Sequence, residues 1–167
     1  MVDTNVTKIL IVYGGELAQD VAKRIVKTKP EFLTDITISV QSGSEQRPKQ
    51  LLTLGEDVVV IFILQTIENA APTEDGGTTT RFFKRKTHPE DLLKNKFRFA
   101  TFGLGDSNLL LDRQTTSAKD CNQVAQDLDA RLLVLGGIKQ HELGMADERT
   151  GLTEVEPWIQ ALWSSFV

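Results

Sequence analysis

The amino-acid sequence predicts a three-layer α/β fold, with helices packed on both faces of a five-stranded parallel sheet. Short apolar segments, such as residues 58–64, lack the alternation of apolar and polar residues that marks a strand with one solvated face. They therefore predict strands that are buried on both faces. Amphipathic helical patterns lie between these segments, and a regular alternation of strands and helices favours right-handed crossovers that stack helices on the sheet.

Five segments are predicted to be strands, because each is short, rich in aliphatic or β-branched residues and bounded by turn-forming residues. They are residues 8–13, 34–40, 57–64, 97–104 and 131–135. The fifth segment ends at Gly136 and Gly137.

Four segments are predicted to be amphipathic helices, since their apolar residues recur at spacings of three and four. They are residues 17–27, 79–86, 117–128 and 154–166. Thr153 and Glu156 begin the last helix with the spacing of a capping box, in which each side chain accepts a hydrogen bond from the other residue's backbone N–H. Residues 41–55 contain two glycines and a proline that interrupt any helix, so a loop with one turn is expected there.

Length and composition favour a single domain over residues 1–167. Of these residues 40% are hydrophobic and 25% are charged, which allows one sizeable core and argues against disorder. The formal net charge of -4 neither requires nor excludes nucleic acid as a partner. Residues 81–98 carry seven basic and two acidic side chains, and residues 141–167 carry five acidic and one basic. Neither stretch contains a nucleic-acid-binding motif, so we interpret both as solvated faces and expect no nucleic acid partner.

The sequence offers little support for metal, disulfide or membrane chemistry. Cys121 is the one cysteine, and with only His88 and His141 beside it no zinc ligand set is expected. No apolar run approaches the roughly 18 to 20 residues of a membrane span, and the first residues lack the basic start of a secretory signal. These features favour a cytoplasmic location without membrane contact.

Candidate ligand-binding residues cluster where three of the predicted strands end, which is the edge at which open α/β sheets bind ligands. Glycines after the first strand permit a tight turn whose helix amides could hold an anion, and two glycines at the end of the fourth strand permit close approach to a flat ligand. Ordinary turn chemistry is the alternative explanation of each. The candidates are Gly14, Gly15, Gln65, Thr66, Gly103, Gly105, Asp106 and Asn108.

Residues 103–108 read Gly-Leu-Gly-Asp-Ser-Asn, which resembles a signature of the flavodoxin-like FMN domain of diflavin reductases. That family includes cytochrome P450 reductase and methionine synthase reductase. Residues 13–25 and 150–163 also resemble its first strand-loop-helix and its last helix, so the resemblance covers almost the whole chain. It implies a flavodoxin-like fold with strand order 2-1-3-4-5, and FMN bound where the first and third strands end. It further implies one-electron transfer, with a reductase module or a redox partner protein as the partner.

The cofactor loops depart from the family pattern. The family holds the FMN phosphate in a loop of the type Ser/Thr-x-Thr-Gly-x-Thr/Ala, whereas residues 14–19 contain no hydroxyl side chain. Glu16 instead places a negative charge where the phosphate would lie, and like charges 4 Å apart repel by about 1 kcal/mol even in water. The second loop, from Gln65 and Thr66 to Pro72, lacks the family's Ser-Thr-Thr-Gly-Asp-Gly run. Leu109 stands where the family has a tyrosine that stacks on the flavin.

Two functions follow from this comparison of motifs. In the first, FMN binding is lost or much weakened, the nine candidates including Leu109 form a vestigial site without catalytic residues, and the domain acts in protein interaction or regulation. Residues 65–71 and 109–111 would then fill the space of the flavin, with Glu16 facing solvent or a basic group. The alternative is a working FMN electron-transfer domain of a methionine-synthase-reductase-like oxidoreductase, which would hold the phosphate by backbone amides alone.

Overall fold

A computed structural model describes residues 6–67, 71–107 and 121–167 of the chain. The strands are β1 (Lys8–Gly14), β2 (Thr37–Ser42), β3 (Val58–Ile67), β4 (Ala71–Pro72), β5 (Arg98–Gly105), β6 (Ile138–Lys139) and β7 (Gly144–Asp147). The helices are α1 (Glu16–Lys27), α2 (Pro48–Leu51), α3 (Glu74–Lys84), α4 (Gln123–Val134) and α5 (Val155–Ser164). In these described parts, no helix is long and apolar enough to cross a bilayer.

The sheet is parallel and runs in the order β2-β1-β3-β5, with its fifth position divided between β6 and β7. β6 pairs with the start of β5 and β7 pairs with its end, both in parallel. This confirms the predicted three-layer flavodoxin-like fold and its 2-1-3-4-5 order. The two residues of β4 add a short antiparallel pair at the end of β3, outside the parallel set.

The strand side chains divide between two cores, one on each face of the sheet. On the α1–α5 face, residues such as Ile61 pack with helices α1 and α5. On the α3–α4 face, residues such as Phe62 pack with α2, α3 and α4. Every side chain of β3 from Val58 to Leu64 is buried, because successive side chains enter opposite cores. This explains why the strand reads as an unbroken apolar run.

The predicted fifth strand, residues 131–135, is wrong. These residues form the end of α4 and the turn after it. Leu132 and Leu135 are buried, whereas Leu133 and Val134 are 46% and 59% exposed, which is the periodicity of a helix surface. The fifth strand position is filled only after Gly136 and Gly137, by β6 and β7.

Several element boundaries also differ from the prediction, and β3 continues to Ile67 instead of ending at residue 64. β2 begins at Thr37 instead of residue 34, because a 3₁₀ turn at Glu31–Leu33 precedes it. α3 begins five residues before residue 79, because the hydroxyl of Thr73 accepts a hydrogen bond from the Gly76 N–H (3.2 Å) and caps an earlier turn. α5 begins at Val155 after a cap residue whose side chain makes no capping hydrogen bond, so the predicted capping box does not form.

Two other predictions agree with the structure, and one lies partly outside its described residues. Helix α1 matches the prediction for residues 17–27 to within one residue. The loop over residues 41–55 does carry one helical turn, α2. The helix predicted for residues 117–128 is described only from residue 121 onward, and it ends at Val134, six residues later than predicted.

Candidate functional site

A cleft of about 490 Å³ opens at the carboxyl ends of β1 and β3, where the resemblance places the FMN phosphate. It is bordered by the turn into α1, the end of β3 and the start of α3. Its lining residues are Tyr13, Gly15, Glu16, Gln19, Gln65, Thr73 and Asp75. The predicted site residues Gly15 and Gln65 therefore do meet in one place, and Gly14, the last residue of β1, directly precedes Gly15.

The N–H groups of Gly15, Leu17 and Ala18, at the turn into α1, are already hydrogen-bonded to side chains of the chain itself. Gly15 is the cap residue with φ +112°, a conformation that favours glycine, and it has no side chain to cap the helix. The side-chain Oε1 of Gln65 accepts from the N–H groups of Leu17 (2.8 Å) and Ala18 (3.4 Å) instead. The Gly15 N–H donates to Oδ2 of Asp75 (3.3 Å). Since free amides at a helix start are what binds a phosphate, the chain's own oxygens take that role.

Asp75 is held in this position by the first turn of α3. Its Oδ1 accepts from the hydroxyl of Thr73 (2.6 Å) and the N–H of Gly76 (3.0 Å), while Oδ2 faces Gly15. The backbones pack so closely that a Cβ on Gly14 would lie 2.5 Å from the Cα of Gly76. The start of α3 therefore lies directly against the turn after β1.

The cleft carries negative charge. Glu16 is exposed at its rim, as expected from the sequence, and Asp75 is half-buried in its wall. Burial raises the pKa of Tyr13, and the negative charges of Glu45 and Asp75 raise it further. A ligand with a negative charge would meet the same repulsion.

Thr66 faces away from the cleft and contacts α4, on the α3–α4 face of the sheet. It is buried, and its hydroxyl accepts from the N–H of Val124 (3.1 Å) in the first turn of α4. The cap residue of α4, Asn122, donates its side-chain N–H to Ala146 O (2.9 Å) and makes no cap bond of its own. Gln65 and Thr66 thus cap helices on opposite faces, because neighbouring side chains of a strand alternate.

Gly103 and Gly105 pack against the segment that leads into α4. A Cβ on Gly103 would lie 2.6 Å from Oδ1 of Asn122, and one on Gly105 would lie 2.8 Å from Sγ of Cys121. The space that the missing side chains of these glycines leave is therefore occupied by Cys121 and Asn122, not by a ligand. Asn108 and Leu109, with the rest of residues 108–120 and with 68–70, lie outside the described residues, as does the expected packing of residues 109–111.

Acidic residues also gather beside Asp106. Burial raises the pKa of Glu148, and the charges of Asp106 and Asp147 raise it further. Asp147 is buried at the end of β7, and its Oδ1 accepts from the N–H groups of Ser107 (2.9 Å) and Arg149 (3.0 Å). Burial raises the pKa of Asp147, but these hydrogen bonds and the Arg149 charge outweigh that effect, so its pKa lies below the usual value.

Sequence reasoning missed Tyr13, Thr73, Asp75 and Asp147 as parts of this edge. A signal existed for two of them, because Thr73 followed by two acidic residues is a common start of a helix. No comparable signal marks Asp147, whose partner Ser107 is 40 residues away in sequence.

No protein-family model matches the chain, and no curated protein matches it. Across the described residues, no three His, Cys, Asp or Glu side chains are grouped so that they could hold a metal ion. An anion bound to the N–H groups of Gly15 and Leu17 would have to displace the side chains of Gln65 and Asp75 and would lie beside Glu16.

Proposed function

We propose that this chain is a flavodoxin-like domain related to the FMN domain of diflavin reductases, in which FMN binding is lost or much weakened and which acts through protein interaction. The observation that carries the proposal is that Gln65 accepts from the Leu17 amide of α1 and Asp75 accepts from the Gly15 amide just before it. The motifs at residues 13–25, 103–108 and 150–163 support the relationship.

The energetic argument rests on what a phosphate would have to replace. A phosphate would have to break the 2.8 Å bond from the Leu17 N–H to Gln65 and the weaker 3.3 Å contact from the Gly15 N–H to Asp75. A hydrogen bond to a charged group contributes about 1.5 to 3 kcal/mol, which a bound phosphate forgoes for each hydroxyl partner that it lacks. The phosphate also gains no hydroxyl partner from residues 14–19. Because each ~1.4 kcal/mol is a tenfold change in affinity, these terms together remove several decades of FMN binding.

The partner that we propose is a protein, either a reductase module or a redox partner protein. Family resemblance supports this choice, since such domains exchange electrons with protein partners. We also infer a cytoplasmic location, supported by a single, buried cysteine that suits a reducing compartment.

FMN titration of the purified protein tests the loss of binding, with flavin fluorescence and calorimetry as readouts. We expect a colourless protein that FMN does not saturate at about tens of micromolar. The double variant Glu16→Thr/Asp75→Asn removes both charges from the cleft and adds a hydroxyl, so it should bind FMN about tenfold more tightly or better, in line with a gain of at least ~1.4 kcal/mol.

A matched control is Glu31→Thr, which removes an exposed acidic side chain from the 3₁₀ turn before β2 and should leave FMN binding unchanged. A yellow protein that binds FMN with a submicromolar Kd would overturn the proposal and support the electron-transfer alternative. An equal gain in the control and in the double variant would show that net charge, and not the cleft, limits binding.

A further inference from the structure

Three consecutive basic residues precede an exposed threonine at the end of α3. Lys84 is the last residue of that helix, and Arg85, Lys86 and Thr87 follow it. All four are exposed, as is Arg81 one turn earlier. We call residues 84–87 the basic segment.

The helix end does not need these cations. Arg131 of α4 caps α3 instead, by donating from Nε to Phe83 O (2.8 Å) and from Nη2 to Arg85 O (2.8 Å). His88 adds a hydrogen bond between its Nε2 and Phe82 O (2.6 Å). These bonds occupy the carbonyls that a lysine or arginine in the last turn would otherwise bind.

The side chains of the basic segment form only weak ion pairs and contacts with the rest of the protein. Nζ of Lys84 lies 3.8 Å from Oδ2 of Asp127, and both side chains are about half exposed. The guanidinium carbon of Arg85 lies 5.2 Å from the centre of the Phe82 ring. Such exposed pairs contribute little. Within the described residues, Lys86 forms no ion pair and the Thr87 hydroxyl forms no hydrogen bond.

The backbone leaves the helix at Arg85 (φ −57°, ψ 127°), and residues 85–89 belong to no helix or strand. One weak turn contact, from the His88 N–H to Arg85 O (3.4 Å), spans Thr87. The threonine is therefore presented on a surface turn, directly after a run of cations. Protein kinases select substrates by such charge patterns, reading basic side chains with acidic groups in the substrate groove.

We propose that Thr87 is a phosphorylation site for a protein kinase that selects basic residues immediately before the acceptor. In the reaction, the Thr87 oxygen forms a bond to the γ-phosphorus of ATP as the bond from that phosphorus to the β–γ bridging oxygen breaks. ADP leaves, and the hydroxyl proton passes to the kinase's catalytic base. The product carries a charge of about −1.5 to −2 among three cations, and the phosphate pairs with them.

Glu90 and Asp91, three and four residues after Thr87, also suit a kinase that selects acidic residues. The groove of such an enzyme is basic, so the three adjacent cations would be repelled from it. The observations therefore favour the kinase that selects basic residues. This inference does not depend on whether the domain binds FMN.

The test uses the full chain with Mg-ATP and the catalytic subunit of cyclic-AMP-dependent protein kinase, and in parallel casein kinase II. Intact mass and peptide mapping report the number and position of phosphates. We expect one phosphate on Thr87 from the first kinase, and none there in Thr87→Ala. Arg85→Ala/Lys86→Ala should slow transfer by about tenfold or more, the factor that corresponds to ~1.4 kcal/mol of lost charge pairing.

Thr53→Ala is the matched control. Thr53 is also exposed, but no basic residue occupies the three positions before it and its hydroxyl donates to Gln50 O (2.7 Å), so its loss should leave phosphorylation unchanged. Circular dichroism confirms that each variant is folded. An unmodified Thr87, transfer by casein kinase II alone, or an undiminished rate in Arg85→Ala/Lys86→Ala would each overturn the proposal.

Discussion

Replacing Gln65 should destabilise the protein by uncapping α1. Leu17 and Ala18 are the second and third residues of that helix, and their N–H groups are the ones that a cap side chain ordinarily binds. Gly15, at the cap position, supplies none. Gln65 reaches them from the end of β3, 48 residues away from Leu17 in sequence.

The size of the effect follows from the two distances. The bond to Leu17 is 2.8 Å long and counts fully, whereas the 3.4 Å contact to Ala18 exceeds the usual N–H···O range and counts for little. Loss of a cap side chain costs about 0.5 to 2 kcal/mol, and Gln65 is half-buried, so water replaces part of the bond. We expect Gln65→Met to lower the free energy of unfolding by about 1 kcal/mol, which for a chain of this size corresponds to about 2 to 4 °C in Tm.

Urea unfolding followed by circular dichroism measures this change, and amide hydrogen exchange locates it. Methionine keeps the length of the side chain without the acceptor, so the Leu17 amide should exchange faster. Gln65→Glu is the matched variant, because its carboxylate still accepts and suits a helix start. If Gln65→Met is as stable as the parent and the Leu17 amide keeps its protection, the capping role is refuted.

Two further changes test other contacts of the same edge. Gly14→Ala should lower the free energy of unfolding in urea by about 1 to 3 kcal/mol, because its Cβ would meet the Gly76 backbone. In the control Gly55→Ala the new Cβ would meet only the Asp57 carboxylate (3.3 Å), so the free energy of unfolding should change little. Equal losses in the two variants would contradict this reasoning. The folded-state pKa of Asp147 is lowered, so its carboxylate adds stability above about pH 3.9, its unfolded-chain value, and loses it as pH falls through the folded-state pKa. Asp147→Asn should flatten that acid-side loss in urea unfolding between about pH 2 and pH 5, and an unchanged slope would contradict the assignment.

The fold could be predicted from sequence because burial on two faces leaves a clear composition in strands such as β3. The exception is residues 131–135, because the four apolar residues that follow Arg131 fit a buried strand and a buried helix equally well in so short a window. Only a longer window shows that Leu128, Leu132 and Leu135 recur at spacings of four and three, and that all three are buried. The start of α3 was obscured for a related reason, since two glycines and three threonines make its first turns poor in helix propensity.

The candidate site could be located but not understood from sequence. Gly14, Gly15 and Gln65 were identified from where strands end, and the structure brings them together beside one cleft. What Gln65 and Asp75 bind there depends on contacts across 48 and 60 residues of sequence, which no local pattern encodes. Residues that read as possible ligand contacts therefore turned out to hold helix starts.

Gln65 and Thr66, which cap α1 and α4 from the end of β3, also restrict the register of that strand in the sheet. A slip of one residue along β1 would send Thr66 toward α1 and Gln65 toward α4, since side chains alternate across the sheet. The short threonine hydroxyl would then stand where a long amide is required, and two helices on opposite layers would lose their first-turn acceptors at once. A single shift of β3 would therefore destabilise the helix layers on both faces of the sheet. In this way the dipeptide Gln65-Thr66 favours one strand register for both layers.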